Sequence, residues 1–388
     1  MFVYHTSVIG GGSNCLINII RRLDREAFYP QVLLKEPGPL SEELKKLNVQ
    51  VHFCSFIQVI PYNQSLLKIS TVIGYIRILF TTFFVLRRII GLQVDAVYLN
   101  TFMLYYLALV KYFNIEPYIH FREHWPKREN QVQFKIGRFF AKTFAKKIIA
   151  INKTSADIIN LPSKTEIVYD WTENHELDYQ VLETIKKQYG IDDSLKIVLF
   201  LGGFQFIKGF KEVVYAFQKY VSSINARLII VGADLINLEE RRNLKYFLKI
   251  TLNRIGFYSK KKIITDLVES DNRIILVPTT NRVREFYEIA HCVVAFPMIP
   301  HAILPIVEAI FLEKIVVASE TPESLEYSIN GNLAKIIPFK DTKSLGILLG
   351  EVIDKEYISY NIQQENIEVL KDMFDPIRNS SKLNCLLK

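Results

Sequence analysis

The chain has no Cys-x-x-Cys pair, and its four cysteines, Cys15, Cys54, Cys292 and Cys385, lie far apart. That spacing argues against a secreted disulfide framework and makes buried free thiols the expectation. The opening MFVYHTSVIGGG lacks a basic segment followed by an apolar one, so no signal peptide is expected. An uninterrupted spanning segment is missing too. Residues 289–307 carry no formal charge, yet Pro297, Pro300, Pro305, His291 and His301 interrupt them. The apolar stretch Ile69–Ile90 is broken by Arg77, Arg87 and Arg88 and reads as an amphipathic helix. The expected location is cytoplasmic, soluble or peripheral at the inner face of a membrane. Carboxylates are absent from Arg241–Lys262, which holds eight Lys/Arg, so the whole net charge of +8 sits in that one segment. No nucleic-acid module accompanies it, and nucleic acid is not an expected partner. Internal repeats and low-complexity tracts are also lacking.

What remains is a globular composition, 49% hydrophobic and 23% charged over 388 residues. One core seldom serves so long a chain, and two domains of roughly 150–200 residues are expected. The first half alternates strands and helices. Phe2–Thr6, Gln31–Leu34, Val49–Phe53, Ala96–Leu99, Tyr118–Phe121 and Lys147–Ile151 read as strands, with helices at Ser41–Leu47 and Leu66–Ile90. Leu16, Ile19, Ile20 and Leu23 recur at the spacing of one buried helix face. The pattern restarts at Lys196–Leu201, followed by a helix with Val213, Ala216, Phe217 and Tyr220 on one face. Strands at Leu228–Val231, Ile274–Val277, Cys292–Phe296 and Ile315–Ala318 complete it. This order predicts an α/β chain of two Rossmann-like, parallel doubly wound domains. They are expected at 1–168 and 169–365, with a helical segment 366–388 packing back on the first.

Ligands of such sheets bind where strands open into helices. Three turns carry informative residues. Gly10-Gly11-Gly12-Ser13 lets the backbone approach a ligand and offers helix N–H groups, although glycines there can be purely structural. The turn is neither a G-x-G-x-x-G fingerprint nor a P-loop. Gly202-Gly203-Phe204-Gln205-Phe206-Ile207-Lys208-Gly209 puts a cation at the mouth of a helix, which suits a pyrophosphate. A solvated lysine is the alternative, but cations sit poorly at helix N-termini. In His301-Ala302-Ile303-Leu304-Pro305-Ile306-Val307-Glu308, Pro305 at the first helical position would put Glu308 in the first turn. There its carboxylate could either complement the helix dipole or accept hydrogen bonds from a ribose diol.

The order of motifs resembles the retaining glycosyltransferases of family 4, also called group 1, over nearly the whole chain. IGGGSNCLINIIRRL (9–23), VDAVYLN (94–100), YIHFRE (118–123) and FLGGFQFIKGFKEVVYAF (200–217) carry it, with REFYEIAHCVVAFPM (284–298) and IVEAIFLEKIVVAS (306–319). The resemblance implies the GT-B architecture, two Rossmann-like domains facing across a cleft. It also implies transfer of a sugar, with retention, from a nucleotide-sugar donor to a glycan or lipid-linked acceptor. Polysaccharide or glycolipid biosynthesis at the cell surface is the implied setting. By the same resemblance Lys208 contacts the donor diphosphate and Glu308 the donor ribose. Gly202, Gly203, His301, Ile303 and Leu304 complete the donor side. Gly11, Gly12, Ser13, His120 and Arg122 line the cleft, and Glu123 and His124 form the carboxylate–imidazole pair assigned with Lys208 and Glu308 to catalysis.

Two positions depart from the family pattern. Gly203 stands where an arginine is common, and Pro300 where a glutamate eight residues before Glu308 commonly contacts the donor sugar. No Asp-x-Asp motif occurs, so metal-independent transfer without a cofactor is expected. A catalytically impaired binding homologue and a sugar-nucleotide epimerase are the alternatives. The epimerase should bring an acidic and histidine set that the sequence does not display. Within Arg241–Lys262, Leu244, Phe247, Leu248, Leu252 and Ile255 recur at helical spacing among the cations. Such a helix could lie on an anionic membrane surface or pack on its own domain.

Overall fold

The computed structural model describes residues 1–60, 69–125, 131–173, 176–234, 264, 267–354 and 364–388. The basic segment Arg241–Lys262 lies outside the described residues. The chain divides into two compact units, residues 1–173 with 372–388 and residues 174–371.

Unit 1 is built on a seven-stranded, all-parallel sheet in the order β3-β2-β1-β4-β5-β6-β7. The strands are β1 (Phe2–Tyr4), β2 (Gln31–Leu34), β3 (Gln50–Phe53), β4 (Ala96–Leu99), β5 (Glu116–Phe121), β6 (Lys147–Ala150) and β7 (Thr165–Ile167). A core lies on each face. One gathers Leu16, Ile19, Ile20 and Leu23 of the first helix, α1 (Gly11–Arg21), and its continuation, as the spacing predicts. The other holds Ile78, Val85 and Ile89 of the helix Ile69–Gly91, the 3-10 helix Phe102–Phe113 and Ala141 of the helix Gln131–Phe144. The second helix begins at Pro39 rather than Ser41, because proline is well tolerated in a first turn, where N–H groups lack helical partners. The C-terminal helix Pro376–Leu387 belongs to this unit. Leu383 joins its core, Asn384 Nδ2 donates to the Arg22 carbonyl at 2.9 Å, and Asn379 Oδ1 accepts from Tyr169 N at 3.0 Å.

Unit 2 carries a six-stranded, all-parallel sheet in the order β10-β9-β8-β11-β12-β13. Its strands are β8 (Lys196–Phe200), β9 (Ala226–Val231), β10 (Ile274–Val277), β11 (Cys292–Ala295), β12 (Ile315–Ser319) and β13 (Lys335–Ile337). β8, β11 and β12 read as continuous apolar runs because helices cover both faces of a parallel sheet. In both sheets the order reverses next to the first strand, between β1 and β4 and between β8 and β11. These reversals are where loops diverge to opposite faces and leave room for a ligand.

Two sequence expectations need correction. Cys15, Cys54 and Cys292 are buried, but Cys385 is exposed, because its position on the last helix faces away from Leu383. The helix Ile69–Gly91 is not amphipathic in the expected sense. It buries only Thr71, Ile78, Val85 and Ile89, and its outward face is apolar rather than polar.

Candidate functional site

At the unit 2 reversal, β8 runs into Gly202-Gly203, a 3-10 turn at Phe206–Lys208, and then the helix Phe210–Tyr220. Gly203 has φ +50, and a Cβ there would stand 2.3 Å from the Gly232 carbonyl oxygen that follows β9. Its N–H also donates to the Val231 carbonyl at 3.0 Å. At Gly209, φ is +87, and a Cβ would come within 2.0 Å of the Phe296 carbonyl beyond β11. Met298 N donates to the Ile207 carbonyl at 2.9 Å, so the loops after β8 and β11 are stitched together by backbone. Only glycine fits the two contact points.

This stitching holds Lys208 beside the start of the helix. The side chain is largely desolvated, which holds its ammonium below the ordinary lysine range. Among the described residues no carboxylate pairs with it. A half-buried cation with no carboxylate partner among the described residues, next to N–H groups that have no intrahelical acceptor, is arranged to receive an anion.

The third turn differs from its sequence reading. The helix runs Leu304–Phe311 with Ile303 as its N-cap, and Pro305 is its second residue rather than its first. Glu308 therefore falls beyond the first turn, which contains no acidic residue, and the helix-dipole explanation for it fails. Burial raises the Glu308 carboxyl above its ordinary range, opposed by Tyr287 Oη, which donates to Glu308 Oε2 at 2.5 Å. One carboxylate oxygen is thereby oriented by the tyrosine. Tyr287 was not foreseen, since nothing in a spacing of 21 residues links the two positions. His301 Nδ1 lies 2.7 Å from the Ile299 carbonyl, which fixes the ring at the loop before the helix. Leu304 and Ile303 form the helix entry.

In unit 1 the glycine turn after β1 opens the helix Gly11–Arg21, with Gly10 as N-cap in extended backbone. Nothing lies within 4 Å of a Cβ placed on Gly11, whereas one on Gly12 would meet the Tyr4 hydroxyl at 2.7 Å. Ser13 is buried, and its hydroxyl accepts from Gly10 N at 2.7 Å, so it caps the helix. His120 is buried with Nδ1 2.8 Å from Tyr98 Oη, and burial drives it well below the ordinary histidine range, so the ring is neutral. Arg122 forms a two-pronged pair with Asp170, at 2.6 and 2.8 Å. Glu123 accepts from Thr101 Oγ1, from Phe102 N at 3.0 Å and from Arg122 N at 3.2 Å. It thereby closes the N-terminus of the 3-10 helix Phe102–Phe113. His124 is half-buried beside it. Asp170 and Thr101 escaped the sequence reading. Asp170 lies just past the expected domain boundary at 168/169, where a lone carboxylate gives no sign of its partner.

Residues 182–368, most of unit 2, match the family model described as "Glycosyl transferases group 1". This stretch is a group 1 glycosyl transferase domain. It contains Lys208, Tyr287 and Glu308 as well as the stitched glycine loops. A curated relative, N-acetyl-alpha-D-glucosaminyl L-malate synthase of Bacillus anthracis, is 23% identical over 157 residues, which is 39% of this chain and 39% of that enzyme. Among solved structures, Anabaena Alr3699/HepE in complex with UDP and glucose superposes with a TM-score of 0.74 at 17% identity, covering 100% of this chain and 98% of that one. WaaG, a glycosyltransferase involved in lipopolysaccharide biosynthesis, gives 0.67 at 12% identity over 100% of this chain and 99% of its own. At such identities the likeness speaks to fold: the group 1 domain and the unit that precedes it have the GT-B fold.

Proposed function

We propose that the protein transfers a sugar from a nucleotide-sugar donor, with retention and without a metal ion, to a glycan or lipid-linked acceptor. The observation that carries this reading is Lys208, a desolvated cation with no carboxylate partner among the described residues, at the stitched glycine turn of the group 1 domain. Lys208 and the helix N–H groups stabilise the departing nucleoside diphosphate, which is where charge develops. Glu308, steadied by Tyr287, accepts hydrogen bonds from the donor ribose. The acceptor hydroxyl attacks the anomeric carbon from the face of the leaving group, and a phosphate oxygen helps take its proton. Cell-surface polysaccharide or glycolipid synthesis at the inner face of the membrane is the setting we infer. UDP-sugars are the first donors to try, since the Anabaena neighbour was solved with UDP and with UDP-glucose.

The test is a thermal-shift screen of nucleotide-sugars on wild type and Lys208→Ala, followed by transfer and donor-hydrolysis assays with the donor that binds. Binding that depends on Lys208, with turnover, supports the reading. Binding without transfer or hydrolysis favours the impaired homologue, for which Gly203 and Pro300 speak. Indifference of both proteins to every nucleotide-sugar ends the donor assignment.

A further inference from the structure

The helix Ile69–Gly91 is 23 residues long and apolar enough, by length and composition, to cross a membrane. Its place in the fold prevents that. It connects β3 to β4, two parallel strands of one sheet, so it must run back alongside that sheet. Thr71, Ile78, Val85 and Ile89 anchor it by a single narrow stripe. At about 100° per residue, Ile69, Ile73, Ile76, Phe80 and Phe83 fall on the side opposite this stripe, with Val72 and Leu79 on its flank. Ile69, Leu79 and Phe80 are 78%, 77% and 73% exposed. Phe84 extends the face by stacking on Phe56 at 4.7 Å.

The neighbouring helix Gln131–Phe144 shares the same side of the sheet and repeats the pattern. Val132, Ile136 and Phe139 are exposed on one stripe, while Gln133, Gly137 and Ala141 are buried. Both helices pack on the 3-10 helix Phe102–Phe113. So large an apolar face in water calls for an occupant.

Charge identifies which one. The three helical segments carry seven Lys/Arg and not a single Asp/Glu. Two of the seven are spent, Lys111 on Glu116 and Arg138 on the Ile159 and Asn160 carbonyls. The other five, Arg77, Arg87, Arg88, Lys135 and Lys142, pair with no carboxylate among the described residues. A second copy of this face would bring like charges together and is disfavoured. An anionic lipid surface satisfies both the apolar stripe and its cations.

We propose that this face of unit 1 lies in the interface of an anionic bilayer. The outward side chains of Ile69–Gly91 sit at the headgroup and acyl boundary, with the five cations on lipid phosphates. This surface shares no residue with the basic segment Arg241–Lys262, and the proposal does not rest on the glycosyltransferase reading, because vesicle binding needs no donor.

The experiment is co-sedimentation of the full chain with phosphatidylglycerol/phosphatidylcholine vesicles and with pure phosphatidylcholine vesicles, at low and high salt. Wild type should partition to the anionic vesicles, several-fold more at low salt. Leu79→Glu/Phe80→Glu, both highly exposed and so compatible with folding, should reduce partitioning at least tenfold. Arg77→Gln/Arg87→Gln/Arg88→Gln should reduce it about a hundredfold at low salt, at about five-fold per cation. Circular dichroism melts matching wild type verify that both variants fold. The proposal is overturned if wild type stays in the supernatant, or if both variants sediment like wild type. It is equally overturned if only Lys/Arg-to-Gln changes within 241–262 abolish binding. A wild-type dimer in analytical ultracentrifugation that Leu79→Glu/Phe80→Glu dissociates, without a lipid effect, would assign the face to a second copy instead.

Discussion

Gly203→Ala is the perturbation with the sharpest structural forecast. The residue sits at φ +50, and the added Cβ would lie 2.3 Å from a backbone oxygen, where real contacts are not found under 3.0 Å. Left-handed backbone costs a residue with a Cβ about 1–2 kcal/mol. Relieving the contact requires the chain after β8 or β9 to move, and forced overpacking costs about 1–3 kcal/mol. Together they predict a loss of about 2–5 kcal/mol, or about 4–20 °C in melting temperature at roughly 2–4 °C per kcal/mol for a domain of this size. Differential scanning calorimetry records both units, whereas both tryptophans, Trp125 and Trp171, lie in unit 1. The calorimetric transition that tryptophan fluorescence does not follow should therefore move down. Gly11→Ala is the control. A Cβ there meets nothing within 4 Å, and the position is helical, so its stability should stay level or rise by about 0.5 kcal/mol. Gly203→Arg should lose as much as Gly203→Ala, so the arginine common in the family cannot simply be restored. A Gly203→Ala protein melting within about 1 °C of wild type would refute the reasoning.

Lys208→Ala should weaken donor binding or turnover by about 2–4 kcal/mol with an unchanged melt, read by titration calorimetry and transfer assay. Glu308→Gln should raise the donor constant. It should also alter the pH dependence of stability. Because burial raises the folded carboxyl above its ordinary 4.5, Glu308 favours the fold below that value, and this contribution is lost as pH climbs through the raised one. The variant should therefore gain on wild type as pH rises through that window in paired melts, and parallel curves would count against the assignment. Arg122→Ala leaves Asp170 buried without its partner and should cost about 3–5 kcal/mol, while Arg122→Met/Asp170→Leu should recover much of it in urea unfolding.

The doubly wound architecture was legible because parallel strands buried on both faces write themselves as short apolar runs, as in Cys292–Ala295 and Ile315–Ser319. Thr165–Ile167 and Lys335–Ile337 did not stand out. Each is a three-residue edge strand, half-covered, with no periodicity to distinguish it from a loop. The 3-10 helix Phe102–Phe113 was equally silent, since residues 102–110 are all buried or half-buried and leave no polar face to mark a period. At the site, the glycine turns and Lys208 could be read as residue types following strands. What those residues touch could not. The Tyr287–Glu308 bond and the Arg122–Asp170 pair join positions that only the fold brings together.

The two sheet reversals, alike in topology, are opposite in their electrostatics. In unit 1 the ionisable groups that follow β5 already have protein partners: Arg122 has Asp170, Glu123 has Thr101 and two backbone N–H groups, and neutral His120, at the end of that strand, has Tyr98. Such a cluster is rigid and close to neutral, fit to shape a surface for a polar, uncharged ligand rather than to bind an anion. In unit 2 the glycine contacts with Gly232 and Phe296 hold Lys208 desolvated, with no carboxylate partner among the described residues. A diphosphate would find a counter-charge there. The asymmetry thus supports assigning the nucleotide to the group 1 domain and the uncharged hydroxyl acceptor to the other unit.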